Sequence, residues 1–300
     1  MTAPLRKHSR QESRPRVGLA LSGGAARGMA HVGVLRALEE HAIPIDVIAG
    51  TSAGALVGGV YAAGLSIDEI EELGRSLHWR DVGRTTISRL GIQSNARMEK
   101  LLRARLPVTR FEELRFPFVA VATDLNSGEP VVLSEGDLAF AIRASCCVPG
   151  WYIPVTDAQG RQLVDGGLVA NIPVTYARDL GADLVIAVDV NAEGAKFLGP
   201  PHSIIGILLQ TTMVVQRTAA IYQLKAADVV IRPLVGHIRW DEMARANELM
   251  TAGYDATLKT INEIRALLEE QMKPASRWYQ LRRYRKRVDP PKSGRERPSR

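Results

Sequence analysis

The sequence predicts a three-layer α/β fold with a mostly parallel central sheet. Two short apolar runs, residues 17–21 and 45–50, have the pattern of buried strands. Each is followed by a helix pattern, an amphipathic one over 29–43 and one of small residues over 51–64. Strand, helix, strand and helix within about 50 residues imply parallel pairing, because the chain must cross back over the sheet through each helix. A chain of 300 residues with 46% hydrophobic content can bury such a core.

Helix patterns dominate the next part of the chain. Ser66 and Glu69 form a capping-box pattern, which predicts that a helix begins there and runs to about residue 77. Residues 96–106 are typical of a second amphipathic helix. The stretch 84–94 between them looks irregular, and the wider segment 78–95 is a candidate lid.

The middle of the chain predicts a hairpin and another helix. Residues 116–125 have the pattern of a strong strand, and the turn sequence NSGEP leads into a second strand, VVLS. Asp137 can cap a helix over 138–147. The prolines in residues 148–155 then require an extended or looped segment.

Two core strands and two helices complete the prediction. Residues 183–190 and 228–233 have the pattern of buried strands, separated by a long helical pattern from Ile204 to about Ala226. A last helix is predicted from about Glu248 to Met272. Neither an internal repeat nor a linker interrupts residues 17–272, so this stretch is predicted to be a single domain.

The positive charge of the chain is concentrated at its two ends. Of the net charge of +7, residues 1–16 contribute +4 and residues 273–300 contribute +9, so residues 17–272 carry −6. Such terminal blocks predict a basic disordered arm and a basic disordered tail. The C-terminal block interleaves one tryptophan and two tyrosines with arginines, which favours peripheral contact with an anionic membrane surface. Nucleic-acid binding is not expected, and the oligomeric state is left open.

The composition indicates a cytoplasmic protein that can lie peripherally on the inner face of the membrane. No apolar run approaches the roughly 18 to 20 residues that a membrane-spanning helix needs, and the first 16 residues lack the apolar centre of a secretory signal. The two cysteines, Cys146 and Cys147, are adjacent, so an ordinary disulfide between them is excluded by geometry. They offer no metal-ligand spacing either. We expect two buried thiols and no metal.

A serine lies where a nucleophile would be expected in such a fold. Residues 50–54 read GTSAG, which fits the G-x-S-x-G pattern between a predicted strand and a predicted helix. Gly50 and Gly54 permit the tight turn, and Ser52 then lies at a helix N-terminus, where negative charge is favoured. Ser52 is therefore the candidate nucleophile.

The glycine-rich loop LSGGAARG, residues 21–28, raises a choice between a phosphate site and an oxyanion site. Gly23 and Gly28 have the spacing of a P-loop, but Met29 and Ala30 stand where the lysine and the hydroxyl residue are required. The loop follows the strand before Ser52, so its N–H groups can open at the same carboxyl edge of the sheet. The pattern favours stabilisation of a transient oxyanion over binding of a nucleotide.

Two arrangements could supply the base. Asp165, in VDGGL, lies between an apolar segment and two glycines that let the backbone approach closely. A triad of Ser52, Asp165 and His237 would have the chain order of α/β-hydrolases. His237 is not flanked by the small residues that catalytic loops usually contain. The simpler interpretation is that it is a surface or capping histidine. His31, on the predicted helix after the loop, is interpreted as a packing or capping residue.

These motifs, in this order, resemble the patatin-like phospholipases, and above all the bacterial members related to the neuropathy target esterase catalytic domain. The resemblance rests on SGGAARG, GTSAG and DGG, with support from HVGVLRALEE and AIRASCCVPGWYIPV. It covers roughly residues 16–235. It implies a patatin-like hydrolase domain over 17–272 that acts on acyl esters of lipids without a cofactor.

The resemblance also implies roles for individual residues. Ser52 is expected to be the nucleophile and Asp165 the base of a dyad without histidine. The implied oxyanion hole consists of Gly23, Gly24, Ala25 and Arg27. The implied motif glycines are Gly28, Gly50, Gly54, Gly166 and Gly167. Ala25 departs from the family, whose loop usually has a third glycine there. An alanine resists positive φ, so we expect a right-handed or slightly rebuilt loop at that position. A catalytically weak protein that binds lipid in a regulatory role is the second hypothesis.

Overall fold

The computed structural model describes residues 14–193, 201 and 203–272. The strands in these residues are β1 (Val17–Leu21), β2 (Val47–Thr51), β3 (Arg84–Thr85), β4 (Gly91–Ser94), β5 (Phe118–Asp124), β6 (Pro130–Leu133), β7 (Gly150–Tyr152), β8 (Val155–Thr156), β9 (Gln162–Asp165), β10 (Leu184–Val188) and β11 (Val229–Ile231). The α-helices are α1 (Ala30–Glu40), α2 (Ala53–Ala62), α3 (Ile67–Ser76), α4 (Trp79–Val82), α5 (Ala96–Arg105), α6 (Leu138–Ser145), α7 (Gly167–Ala170), α8 (Val174–Asp179), α9 (Ile204–Gln223), α10 (Ala246–Leu258) and α11 (Ile261–Met272). Short 3-10 turns occupy Ala25–Met29, Phe111–Glu113, Leu224–Ala226 and Met243–Arg245.

The central sheet has the order β11, β10, β1, β2, β5, β9, β8, and β6 also pairs with β5. Pairing is parallel from β11 through to β5. Strands β6, β8 and β9 join by antiparallel pairing. The predicted α/β fold with a mostly parallel sheet is confirmed. Because parallel strands end at a common edge, the loops after β1, β2, β10 and β11 all open on the same side of the molecule.

Helices cover both faces of this sheet, which gives the predicted three layers. Along β1, Leu19 and Leu21 belong to the larger hydrophobic core, which also contains residues of α1, α2, α6 and α10. Ala20 points to the opposite face, where it belongs to a smaller core with residues of α8 and α9. All three side chains are fully buried. A strand that is buried on both faces reads as a continuous apolar run, which is why the sequence predicted it well.

The segment that was predicted to be irregular contains two strands. β3 and β4 pair with each other, and β4 pairs in parallel with β7 to form a small second sheet. Gly91 lies opposite Gly150 and Gln93 opposite Tyr152 in this pairing. The prediction of an irregular segment is wrong for residues 84–85 and 91–94, which are strands. β4 pairs in parallel with β7, which lies almost 60 residues further along the chain. Local patterns cannot reveal such a partner.

The last predicted helix is two helices. α10 ends at Leu258 and α11 begins at Ile261. The N–H and the hydroxyl of Thr260 both donate to the carbonyl oxygen of Thr257, at 2.9 Å each. A threonine hydroxyl that bonds to a nearby backbone carbonyl competes with the regular helix, and here it accompanies the break.

Two predicted caps are present. Ser66 and Glu69 form the reciprocal capping box of α3, and Asp137 Oδ1 accepts from the Phe140 N–H at 2.8 Å at the start of α6. The predicted hairpin of β5 and β6 is present as well. Among the described helices, none combines the length and the apolar character that crossing a membrane requires.

The predicted basic ends fall almost entirely outside the described residues. Residues 1–13 and 273–300 are not described, so the predicted arm and tail stay predictions. Residues 14–16 are described, and they contact the domain. The Arg14 guanidinium forms two hydrogen bonds to the Asp46 carboxylate, at 2.5 and 2.8 Å. The backbone of Arg16 bonds with Asp183 in both directions.

Candidate active site

Ser52 lies on a sharp turn between β2 and α2. Its backbone has φ +52° and ψ −120°, a conformation that costs a non-glycine residue of order 1 to 3 kcal/mol. A Cβ on Gly54 would lie 2.2 Å from the carbonyl oxygen of Leu21, and one on Gly50 would lie 2.6 Å from that of Gly54. Both glycines are therefore required for close packing of backbone at this turn. The G-x-S-x-G pattern has the structural context that the sequence predicted.

Side chains from distant parts of the chain support the Ser52 turn. The Ser52 N–H donates to Ser145 Oγ at 2.8 Å, and Ser145 Oγ donates to the Val121 carbonyl oxygen at 2.6 Å. Thr51 Oγ1 donates to the Ala170 carbonyl oxygen at 2.7 Å. These groups are buried, so each bond removes a polar atom that would otherwise be unsatisfied. Sequence reasoning missed Ser145, because a serine near the end of an apolar helix carries no distinctive local signal.

Asp165 is brought to Ser52 by the register of the sheet. Thr51 lies opposite Val121 in the pairing of β2 with β5, and Asp165 lies opposite Ala122 in the pairing of β5 with β9. Asp165 therefore lies one residue beyond Thr51 across the sheet, at the same level as Ser52. Because β9 is antiparallel to β5, Asp165 reaches this level from the opposite direction to Ser52.

The environment of Asp165 makes its carboxylate a stronger base than an ordinary aspartate. The residue is only 5% exposed. Burial raises the pKa of Asp165 from an ordinary 3.8 to about 6, although the neighbouring Ser52 side chain and a hydrogen bond from the Gly167 N–H lower it. The Gly167 N–H lies 2.8 Å from Oδ1. At pH 7 such a group is ionised about ten times more often than protonated, so it can accept a proton.

Two glycines after Asp165 keep the space around it open for backbone and for polar side chains. A Cβ on Gly166 would lie 2.1 Å from the Val121 carbonyl oxygen. One on Gly167 would lie 2.4 Å from Gln216 Nε2 and 3.0 Å from Asp165 Oδ1. Gln216 of α9 thus reaches the immediate neighbourhood of the carboxylate.

The glycine loop after β1 borders the same cavity as Ser52. Gly23 does not offer its N–H there, because it donates to the Asn171 carbonyl oxygen at 3.1 Å. The Asn191 side chain holds the loop from the other side, with Nδ2 donating to the Gly23 carbonyl oxygen at 2.8 Å. The N–H groups of Gly24 and Ala25 have no acceptor among the described residues, which leaves them as the donors that this loop can present.

Ala25 has a left-handed backbone. Its φ is +50°, so of the two expectations, a right-handed or a slightly rebuilt loop, the right-handed one is wrong. A left-handed conformation costs an alanine about 1 to 2 kcal/mol. The adjoining 3-10 turn, whose Ala26 N–H donates to the Trp240 carbonyl oxygen at 2.9 Å, contributes to holding this conformation.

Arg27 connects the glycine loop to more distant segments of the chain. Its side chain is fully buried, and Nε donates to the Ile238 carbonyl oxygen at 2.7 Å. The guanidinium also donates to Gly236 O and to Asn191 Oδ1, at 3.4 and 3.3 Å. Burial lowers the pKa of Arg27, and the nearby Glu193 opposes this effect. These bonds join the loop to residues 236–238 and to Asn191, so Arg27 helps to fix the position of the loop.

His237 is separate from this arrangement. Its Nε2 lies 2.7 Å from Glu248 Oε1 on the surface, and its side chain borders a different depression from the one that contains Ser52. His31 is fully buried on α1, with Nε2 2.8 Å from the Ser22 carbonyl oxygen. Burial lowers the pKa of His31 to about 4, so its ring is neutral near pH 7. The geometry gives neither histidine contact with Ser52.

The cavity above Ser52 and Asp165 is mainly apolar and has a volume of about 140 Å³. Three tryptophans form one wall, with Trp240 in edge contact with both Trp79 and Trp151 at 5.7 Å between ring centroids. α9 covers the cavity with Leu209, Thr212, Met213 and Gln216. Trp79 and Val82, from the segment 78–95 that was a candidate lid, line it as well. The role of α9 as a cover was not predicted.

The Cys146 thiol also lies in this cavity beside Ser52. Burial raises the pKa of both Cys146 and Cys147, so both thiols are protonated near neutral pH. Both are reduced and buried, as expected from the sequence. Within the described part of the chain, His, Cys, Asp and Glu side chains form no cluster that could hold a metal ion.

Comparison with known proteins identifies the family. Residues 19–178 match the model of the patatin-like phospholipase family. An uncharacterised NTE family protein of Mycobacterium tuberculosis is 42% identical over 198 residues, which are 65% of this chain and 54% of that protein. Lysophospholipase NTE1 of Mycosarcoma maydis is 36% identical over 184 residues, which are 59% of this chain and 10% of that protein.

A solved structure is similar in fold. VipD from Legionella pneumophila superposes with a TM-score of 0.58 at 15% sequence identity, covering 84% of this chain and 67% of VipD. The chain spans about half the length of the mycobacterial relative and a small part of the fungal one. The family match covers more than half of the 300 residues and includes both Ser52 and Asp165, so the chain belongs to the patatin-like phospholipase family.

Proposed function

We propose that this protein is a serine hydrolase of lipid acyl esters, with Ser52 as nucleophile and Asp165 as base. One arrangement carries the proposal: Ser52, on a strained turn, lines the same apolar cavity as the buried Asp165 carboxylate, whose pKa is raised to about 6 and responds to the Ser52 side chain. An apolar cavity suits an acyl chain. Membership of the family and the name of the lysophospholipase relative support a lipid ester as the substrate.

The reaction would proceed through an acyl-serine. Ser52 Oγ attacks the ester carbonyl carbon while its proton passes to Asp165. The carbonyl oxygen becomes an oxyanion and accepts hydrogen bonds from the N–H groups of Gly24 and Ala25. The carbon–oxygen bond to the leaving alcohol then breaks, and that alcohol takes the proton from Asp165.

Water completes the cycle by the same chemistry in reverse. Asp165 accepts a proton from the attacking water, and the acyl-serine passes through a second oxyanion. Collapse releases the carboxylic acid, and the proton on Asp165 returns to Ser52. Each oxyanion donor is expected to contribute about 2.7 to 4 kcal/mol to the stability of these transition states. Arg27 and Asn191 would act as positioning residues that hold the two donors in place.

Three variants test the dyad against its triad rival. Ser52→Ala and Asp165→Asn should each abolish hydrolysis of a short p-nitrophenyl ester, whereas His237→Ala should leave it nearly unchanged. Loss of turnover in His237→Ala with normal folding would favour the triad. Full activity in both Ser52→Ala and Asp165→Asn would show that the assignment is wrong.

A regulatory protein that binds lipid without turning it over is the second candidate, and the strained Ala25 is the observation that favours it. A fluorophosphonate probe distinguishes the two, because it labels only a serine that is activated as a nucleophile. Labelling that is lost in Ser52→Ala would support the enzyme, and an unlabelled folded protein would support the binding role.

Contact with an anionic membrane surface would bring this cavity to its substrate. The basic ends, residues 1–16 and 273–300, carry +4 and +9. In addition, α9 covers the cavity and carries exposed apolar side chains on its outer side, at Ile207, Leu208, Val214 and Val215. Its 20 residues include one arginine and no acidic residue. Vesicles with anionic lipid should bind the full chain more tightly than a version cut to residues 17–272, and equal binding would contradict a role for the ends.

A further inference from the structure

A second, more polar cavity adjoins the one that contains Ser52. It has a volume of about 230 Å³ and lies at the carboxyl ends of β10 and β11, which carry Asp189 and Arg232 immediately after their last residues. Arg217 of α9 borders it from above. Crevices at the carboxyl ends of parallel strands are common ligand sites in α/β folds.

The two cavities share part of their lining. Asn171, Asn191, Met213 and Gln216 border both. Gln216 and Asp165 both adjoin Gly167. A Cβ on Gly167 would lie 2.4 Å from Gln216 Nε2 and 3.0 Å from Asp165 Oδ1, so the amide and the carboxylate are close to each other. The two cavities therefore adjoin at these four side chains, on the side of Ser52 where Gln216 lies.

The charged groups around the second cavity suit an anion that carries its own hydrogen-bond donors. Arg217 and Arg232 are both exposed, and neither forms a salt bridge or a side-chain hydrogen bond with a described residue. Asp189 is 4% exposed, and its Oδ1 accepts from the Asn191 N–H at 2.9 Å. Burial raises the pKa of Asp189, while the Asn191 hydrogen bond and the positive charges of Arg232 and Arg217 favour its ionised form.

We propose that the second cavity binds the phosphodiester headgroup of a glycerophospholipid, with Arg217 and Arg232 on the phosphate oxygens. The Asp189 carboxylate accepts a hydrogen bond from a hydroxyl or ammonium group of the headgroup. This rests on the proposed function, since the acyl ester of the same lipid lies at Ser52. A neutral glyceride has no anion for the two arginines, so the cavity favours phospholipids over glycerides.

Two substrates with the same acyl chain isolate the headgroup. Lauroyl lysophosphatidylglycerol carries the phosphodiester, and monolauroylglycerol does not. Arg217→Gln and Arg232→Gln should each lower kcat/KM for the lysophospholipid by about tenfold, mainly through KM, because each removes a charge-assisted hydrogen bond to the substrate. Hydrolysis of monolauroylglycerol should be unchanged. Arg217→Lys should restore part of the loss, and Lys225→Gln serves as a control outside the cavity.

A binding assay separates failure of this proposal from failure of the proposed function. Full-length Ser52→Ala protein is titrated with each lipid, and tryptophan fluorescence reports binding, since Trp79, Trp151 and Trp240 line the adjoining cavity. Tighter binding of the lysophospholipid that disappears in the double Gln variant supports the headgroup site, even if the wild type hydrolyses nothing. Equal affinity for both lipids, or equal losses with both substrates, would overturn it. Inorganic phosphate is the final arm, and its binding without competition against the lysophospholipid would identify a free-phosphate site instead.

Discussion

Replacing Asp165 by asparagine should make the protein more stable at neutral pH while removing its activity. Burial raises the pKa of Asp165 from 3.8 to about 6 in the folded protein. The difference corresponds to about 3 kcal/mol, because one pKa unit is about 1.36 kcal/mol. A raised pKa of an acid means that the folded state binds the proton more tightly than the unfolded state does, so the ionised carboxylate destabilises the fold.

The pH window follows from the same two values. Below about pH 4 Asp165 is protonated in both states and imposes no penalty. Stability is lost as the pH rises from about 4 through 6, and the full penalty of about 3 kcal/mol is present above that. Asparagine is neutral throughout and can still accept the Gly167 hydrogen bond through its oxygen. The gain from Asp165→Asn should therefore grow with pH over this range.

Thermal unfolding at pH 4.5 and pH 8 measures the effect. A gain of about 3 kcal/mol corresponds to a rise in Tm of about 6 °C at pH 8 for a domain of this size, and the rise should be much smaller at pH 4.5. Asp255→Asn, which changes an exposed aspartate on α10, should shift Tm by little at either pH. A Tm for Asp165→Asn that is equal to or below the wild type at pH 8, or a gain that does not depend on pH, would refute the reasoning.

Further predictions concern the same site and its cover. The kcat/KM for a p-nitrophenyl ester should fall tenfold per pH unit below about pH 6, because only ionised Asp165 accepts the proton, and a profile flat down to pH 5 would contradict this. Ala25→Gly should raise the stability to denaturant by about 1 kcal/mol with activity retained, because it relieves the positive φ. Ser145→Ala should cost about 1 to 3 kcal/mol in the same assay, since it leaves the Ser52 N–H and a carbonyl oxygen unpaired. Replacing Ile207 and Val214 by glutamate should weaken flotation with anionic vesicles while p-nitrophenyl ester hydrolysis persists.

Most of the fold was predictable because its core strands are buried on both faces. β1, β2, β5 and β10 are short continuous apolar runs, and each is bounded by turn or helix signals. The small second sheet was missed for the opposite reason. β3 and β4 have two and four residues, and the parallel partner of β4 is β7, far along the chain. Strands that depend on a distant partner leave little trace in local sequence.

The candidate site divides in a similar way. Ser52 and Asp165 were recognisable from glycines at fixed offsets, because a tight turn and a close backbone approach admit few other residues. Their catalytic roles stay predictions, and the structure adds that the two side chains adjoin. The presentation of the oxyanion donors was less predictable. The Gly23 N–H donates to Asn171, and the Arg27 side chain donates to Ile238. Both partners lie more than 140 positions away along the chain, so local sequence does not reveal these bonds.

The sequence by itself determined the core strands β1, β2, β5 and β10, the fold class, the family, and which serine and which aspartate are the candidates. These features follow from periodicity and from the backbone freedom of glycine, both of which act over a few residues. Only the tertiary structure decided that Ala25 is left-handed, that α9 covers the cavity and that Asp165 is buried deeply enough to have a pKa of about 6. Each of these depends on the exclusion of water or the closing of a turn by segments that meet only in the folded chain.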